Sequence, residues 1–121
     1  MTDLLTPRDL IEAMLDASAE LDSAQADLET KTREQARSEN GYRKARANAY
    51  LGTSGTVGER EAFVDKATGQ ERYAAHLSEG LAKAALEAVR SRRTQLSVLQ
   101  TISSAVKEEL AMARTGPEYG P

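Results

Sequence analysis

At 121 residues the chain has room for one small domain, and with no Cys it can form neither a disulfide nor a thiolate metal site. It has no Trp and one Phe, while Ala, Glu, Leu, Arg and Ser dominate, a composition of long helices rather than strands. No apolar run approaches the roughly 20 residues of a membrane-spanning helix, and the acidic start MTDLLTPRDL lacks the basic and apolar segments of a secretory signal. The formal net charge of −3 conceals segregation. Residues 1–30 carry eight acids and one Arg, a net of −7. Residues 31–46 carry Lys31, Arg33, Arg37, Arg43, Lys44 and Arg46 against Glu34 and Glu39, a net of +4. Residues 83–93 carry Lys83, Arg90, Arg92 and Arg93 against Glu87, a net of +3. Local patches of this kind, not the average, decide whether a polyanion binds.

Thr6-Pro7 reads as a helix start, with Thr6 free to accept a backbone N–H, Pro7 suited to the first turn, and Asp9 and Glu12 near the positive end of the helix dipole. A stripe at alternating spacings of four and three follows: Leu10, Met14, Ala17, Leu21, Ala24 and Leu28. It stays in register but turns polar through Lys31, Gln35 and Ser38, then becomes apolar again at Tyr42, Ala45 and Ala49. This period buries one edge of a helix over about residues 7–51, with Gly41 a weak point.

The run Gly52-Thr-Ser-Gly-Thr56 breaks the pattern. Gly52 is expected to take a left-handed conformation as a cap, and Thr56 with Glu59 to start a short helix over about 57–67 as a capping box. Thr68-Gly69 interrupts it, and a last helix is predicted over about 70–114. Its stripe is expected to be Leu77, Leu81, Ala84 and Ala88, then Leu96, Leu99, Ile102, Val106 and Leu110, with Arg92 between the halves. The predicted fold is all-α, a long antiparallel helical hairpin with a short middle helix, forming one domain over 1–115 with a disordered tail at 116–121. Two helices cannot cover such stripes alone, so a homo-oligomer is expected.

A pairing midpoint near residue 61 would set 31–46 opposite roughly 76–91 and bring the two basic clusters side by side. Arg33, Arg37, Arg43, Lys44 and Arg46 of the first cluster, and Arg90 and Arg93 of the second, are then candidate nucleic-acid ligands; Arg92 falls on the stripe and suits a structural role. The competing reading is that these cations pair with Glu34, Glu39, Glu79 and Glu87 on a solvated face. Tyr42 and Tyr50 are candidate stacking rings, although Tyr42 lies on the stripe and suits the core better. Catalysis has little support. His76 is the only histidine, with no nucleophile pattern around it. The acids of 1–30 lack the spacing of helical metal sites, and the Gly-rich run at 52–58 lacks the Lys-Ser or Lys-Thr pair of a phosphate loop. No enzyme activity, cofactor or metal is predicted.

The run Tyr42-Arg-Lys-Ala-Arg-Ala-Asn-Ala-Tyr50-Leu51, the turn leading into Thr56-Val-Gly-Glu-Arg60-Glu-Ala, and the later Leu86-Glu-Ala-Val-Arg90-Ser-Arg92-Arg-Thr-Gln-Leu96-Ser-Val-Leu99 resemble the UvsY-like family of phage recombination mediators. The resemblance covers about residues 31–110 and lies in the order of basic helix, Gly turn and long return helix; the acidic N-terminal third has no counterpart. It implies a non-catalytic ring-shaped oligomer in the cytoplasm of a bacterial host. Such an oligomer binds single-stranded DNA and assists loading of a recombinase onto strands coated by a single-strand-binding protein. Two other classes fit the stripes: a phage scaffold or assembly chaperone, or a small inhibitor of a host defence system using the acidic helix as a nucleic-acid mimic.

Overall fold

The computed structural model describes residues 6–115, and the tail expected at 116–121 lies outside them. The described residues form three helices, α1 (Pro7–Leu51), α2 (Val57–Ala67) and α3 (Gly69–Thr115), and no strand. The fold is all-α, with the element order of a helical hairpin whose middle helix is short.

The helix ends follow from local chemistry. Thr6 and Asp9 cap α1 reciprocally: the Asp9 N–H donates to Thr6 Oγ1 and the Thr6 N–H to Asp9 Oδ2, both at 3.1 Å. At α2 the Glu59 N–H donates to Thr56 Oγ1 at 3.2 Å. Between them the turn departs from expectation. The only described residue with positive φ is Gly55, at +120°, and not Gly52. The Gly52 N–H simply continues the helical pattern to the Asn48 carbonyl at 3.1 Å. The sharp reversal therefore falls three residues later, immediately before the Thr56 cap, where only Gly tolerates the backbone.

α2 and α3 are separated by Thr68 alone. Its hydroxyl and its backbone N–H both reach the Val64 carbonyl, at 2.7 and 2.9 Å, and its own carbonyl accepts the Arg72 N–H. One buried residue thus closes α2 and opens α3 with both of its own backbone groups paired.

The described chain divides into two compact units. One holds α1 up to Ala24 and α3 from Ala88; the other is Gln25–Glu87, which contains α2. In the first unit the segments are antiparallel: Glu20 meets Arg92 at 2.7 Å, while residues 11–18 share a groove with Leu96 and Gln100. In the second, Arg46 meets Asp65 at 2.7 Å and Arg37 shares a groove with Leu77, again antiparallel.

The α1 stripe is as expected: every position from Leu10 to Ala49 at the four–three spacing is buried or half-buried. The α3 stripe is as expected from Leu96 to Val106, but not after, where Leu110 is 48% exposed, and not before. Ala75, Ser78, Ala82, Ala85 and Val89 are the buried positions, whereas Leu77, Leu81, Ala84 and Ala88 are exposed. Stepping back from Leu99 through Leu96 and Arg92 by threes and fours lands on Val89, Ala85, Ala82, Ser78 and Ala75. The period holds, and the larger leucines lie outside it. Small residues inside let α3 approach a stretch of α1 whose own stripe carries the long side chains of Lys31, Gln35 and Tyr42.

Pairing is centred near residue 56, since Glu20 with Arg92 has its midpoint there. The expected midpoint near 61 is thus corrected: α2 belongs to the return arm, and the turn is the loop 52–56 itself.

Candidate nucleic-acid interface

The two basic clusters fall in different units. Arg43, Lys44 and Arg46 belong to the Gln25–Glu87 unit, while Arg90, Arg92 and Arg93 belong to the unit that contains the acidic start of α1. Arg92 leaves the half-buried stripe to bond Glu20 at 2.7 Å and Gln95 at 3.1 Å. Arg92 is half-buried, and Arg90 and Arg93 are exposed.

On α1 the cations sort by face. The stripe Lys31, Gln35, Ser38, Tyr42 and Ala45 points inward, so Arg33, Arg37, Arg43 and Lys44 occupy the outer side, and all four are exposed. Arg33 is paired with Glu29, one turn earlier. Arg37, Arg43 and Lys44 form no ion pair among the described residues. From residue 33 to 47 this outer side otherwise carries Ala36, Asn40 and Ala47, and no acid. The ridge from Arg33 to Lys44 is about 16 Å long at 1.5 Å per residue.

Nearby acids are engaged elsewhere. Glu34 faces Lys31 at 4.0 Å, Glu39 accepts from Gln35 at 3.0 Å, and Glu79 pairs with Lys83 at 3.2 Å. The expected pairing with these acids holds for Lys31 with Glu34 and for Lys83 with Glu79; Arg33 pairs instead with Glu29, and Arg37, Arg43 and Lys44 form no ion pair among the described residues.

Arg46 does not join this ridge. It turns toward α2, bonds Asp65 at 2.7 Å and lies 5.5 Å above the Tyr50 ring. The hydrogen bond to Asp65 raises its pKa, against the lowering effect of partial burial. Arg60 covers the same ring at 5.7 Å and donates to the Tyr50 carbonyl at 3.4 Å. Tyr50 is thus held between two guanidinium groups that tie α1 to α2. Both Tyr42, which lies on the stripe, and Tyr50, the candidate stacking rings, are half-buried.

Among the described residues the exposed aromatic rings are Tyr73, at 69%, and Phe63 of α2, at 49%. Leu77 and Leu81 follow Tyr73 at intervals of four, 49% and 42% exposed. This spacing is visible in the sequence, but it reads there as core because leucines at helical intervals usually are. The same side of α3 borders a groove lined by Arg37 and Glu34 from α1 and by Ala74, Leu77 and Leu81 from α3.

His76 is exposed, and among the described residues no group of three His, Asp or Glu side chains gathers as metal ligands would. No described helix is long and apolar enough to cross a membrane. No family model matches the chain, and neither a curated protein nor a solved structure matches it.

Proposed function

We propose that this chain is a non-catalytic, self-associating helical protein that binds single-stranded DNA along the outer face of α1. The observation that carries the reading is the exposed ridge Arg33, Arg37, Arg43 and Lys44, in which three cations lack an acidic partner while neighbouring acids are engaged elsewhere. Cations left unneutralised on a face without acids suit a run of phosphates, which exchange condensed counterions for the guanidinium and ammonium groups. Arg90 and Arg93 offer further cations from the other unit. The resemblance to the recombination mediators extends the proposal to a role: assisting a recombinase on strands held by a single-strand-binding protein, in the cytoplasm of a phage-infected bacterium.

Self-association is supported by the unit that holds the two ends of the hairpin. Ile11, Leu15 and Val98 are 58%, 65% and 53% exposed and flank the half-buried stripe, giving apolar faces wider than a two-helix pair can cover. Repeating a weak cationic ridge in an oligomer raises affinity for a long strand without tight binding by any one copy. These same flanks also suit a phage scaffold or assembly chaperone, which would need them but not the ridge.

A titration of labelled single-stranded DNA distinguishes the two. Arg37→Ala with Lys44→Ala should weaken binding and reduce the slope of log affinity against log salt by about 1.4, at about 0.7 per phosphate contact on a single strand. The helical circular-dichroism signal should not change, since both side chains are exposed. Wild-type protein that binds no single-stranded DNA at about 50 mM salt, where such contacts are strong, overturns the proposal in favour of the scaffold.

A further inference from the structure

We infer that Tyr73, Leu77 and Leu81 on α3 form a stacking platform for unpaired bases, with Arg37 of α1 holding the adjoining phosphate. This rests on the proposed binding of single-stranded DNA and gives that binding a second component, one that reads bases rather than charge.

The juxtaposition is specific to one groove of the Gln25–Glu87 unit. Leu77, Leu81 and Ala74 supply its apolar side and Arg37 its cation, with Glu34 also on the wall. Glu34 is 4.0 Å from Lys31, and Arg37 forms no ion pair among the described residues. Tyr73 lies one helical turn before Leu77 and is 69% exposed, so its ring is available. A single exposed leucine says little, but Leu77 and Leu81 share a groove with Arg37, and with an exposed aromatic one turn before them they make an amphipathic surface. A nucleotide has the matching character: an apolar face on the base and one negative charge on the phosphate. Every base has such a face, so stacking tolerates any sequence.

A second copy of this chain fits the groove less well. An apolar helix face laid over it would remove Arg37 from water without supplying an acid, and a buried unpaired charge is costly. The flanks Ile11, Leu15 and Val98 of the other unit carry no such obstacle.

The test compares oligothymidylate with an abasic sugar-phosphate chain of equal length, both labelled, by fluorescence anisotropy at one salt concentration. The two polymers share their phosphates and differ in bases. Wild-type protein should bind oligothymidylate about tenfold more tightly than the abasic chain, a typical effect of stacking. Tyr73→Ala should remove that preference, Tyr73→Phe should keep it, and neither should alter the salt slope. Equal affinity of the wild type for both polymers overturns the platform and leaves the ridge standing. So does oligothymidylate binding that Tyr73→Ala does not weaken. Failure to bind either polymer overturns the ridge and the platform together. A Tyr73→Ala protein of lower mass than the wild type on sedimentation assigns the stripe to a contact between copies, and overturns the inference.

Discussion

The two units use the same four–three spacing and reach opposite results. In Gln25–Glu87 the α3 positions that turn inward are Ala75, Ser78, Ala82 and Ala85, all at most 8% exposed, while Tyr73, Leu77 and Leu81 stay outside. In the other unit the inward positions of α3 begin with Val89, only 2% exposed, but beyond Arg92 the inward positions Leu96, Leu99, Ile102 and Val106 are each only half-buried. Small residues in a seam allow two helix backbones to approach, so that even short side chains are covered. Burial along α3 does not follow how apolar each residue is: Ala75 and Ser78 are buried while Leu77 and Leu81 are exposed. The consequence is functional as well as structural. The close-packed unit excludes its leucines and so presents a mixed apolar and cationic groove, whereas the open unit leaves apolar flanks suited to another copy.

That comparison is most severely tested by exchanging side-chain size across the seam. Ala82→Leu should destabilise the protein by about 1–3 kcal/mol through overpacking, whereas Leu81→Ala should cost under about 0.5 kcal/mol. Urea denaturation measures both. If Leu81→Ala proves the more damaging, the stripe runs through the leucines after all, and the close-packed seam is wrong.

The turn gives the next largest effect. An added Cβ at Gly55 meets the Glu59 carboxylate at 2.6 Å and forces a side chain into the conformation of φ +120°. At Gly52 it meets only the Asn48 and Ala49 carbonyls, at 3.5 and 3.8 Å, which is ordinary contact. Gly55→Ala should lower stability by about 1–2 kcal/mol, while Gly52→Ala should change it little. Equal effects in thermal melts would mean that the reversal does not depend on the left-handed backbone at Gly55.

The smallest effect on the folded chain itself is expected at the open flanks. Leu15→Asp with Val98→Asp should shift stability by about 0.5 kcal/mol or less per site, because both side chains are already exposed. The same pair should lower the sedimenting mass. Unchanged mass would mean that these flanks do not join copies, and wild-type protein that is already monomeric at micromolar concentration would remove self-association entirely.

Much of this was legible in the sequence because it is local or periodic. Thr6 and Thr56 precede acids at the spacing of a cap, and both cap a helix. The α1 stripe could be followed from Leu10 to Ala49 because its spacing never breaks, even where the residues become polar. The segregation of charge was also open to view, and with it the set of cations from which the ridge is drawn.

Which of those cations share a face toward solvent was decided by the tertiary structure. Arg43 and Arg46 are three residues apart in the same basic run, yet one is exposed and the other is bound to Asp65 across the turn. Sequence spacing shows that Arg46 lies near the edge of the stripe, but not that an acid of α2 waits opposite, because this depends on a register set nineteen residues away. The same holds for Leu77 and Leu81. Their period marks a helix face, and a helix has more than one; which face is buried is chosen by the partner, whose long side chains favour alanine and serine. Composition and period determined that the chain would be helical, where the helices begin and which edge of α1 turns inward. The turn at Gly55 and the packing of α3 determined which residues remain to meet another molecule.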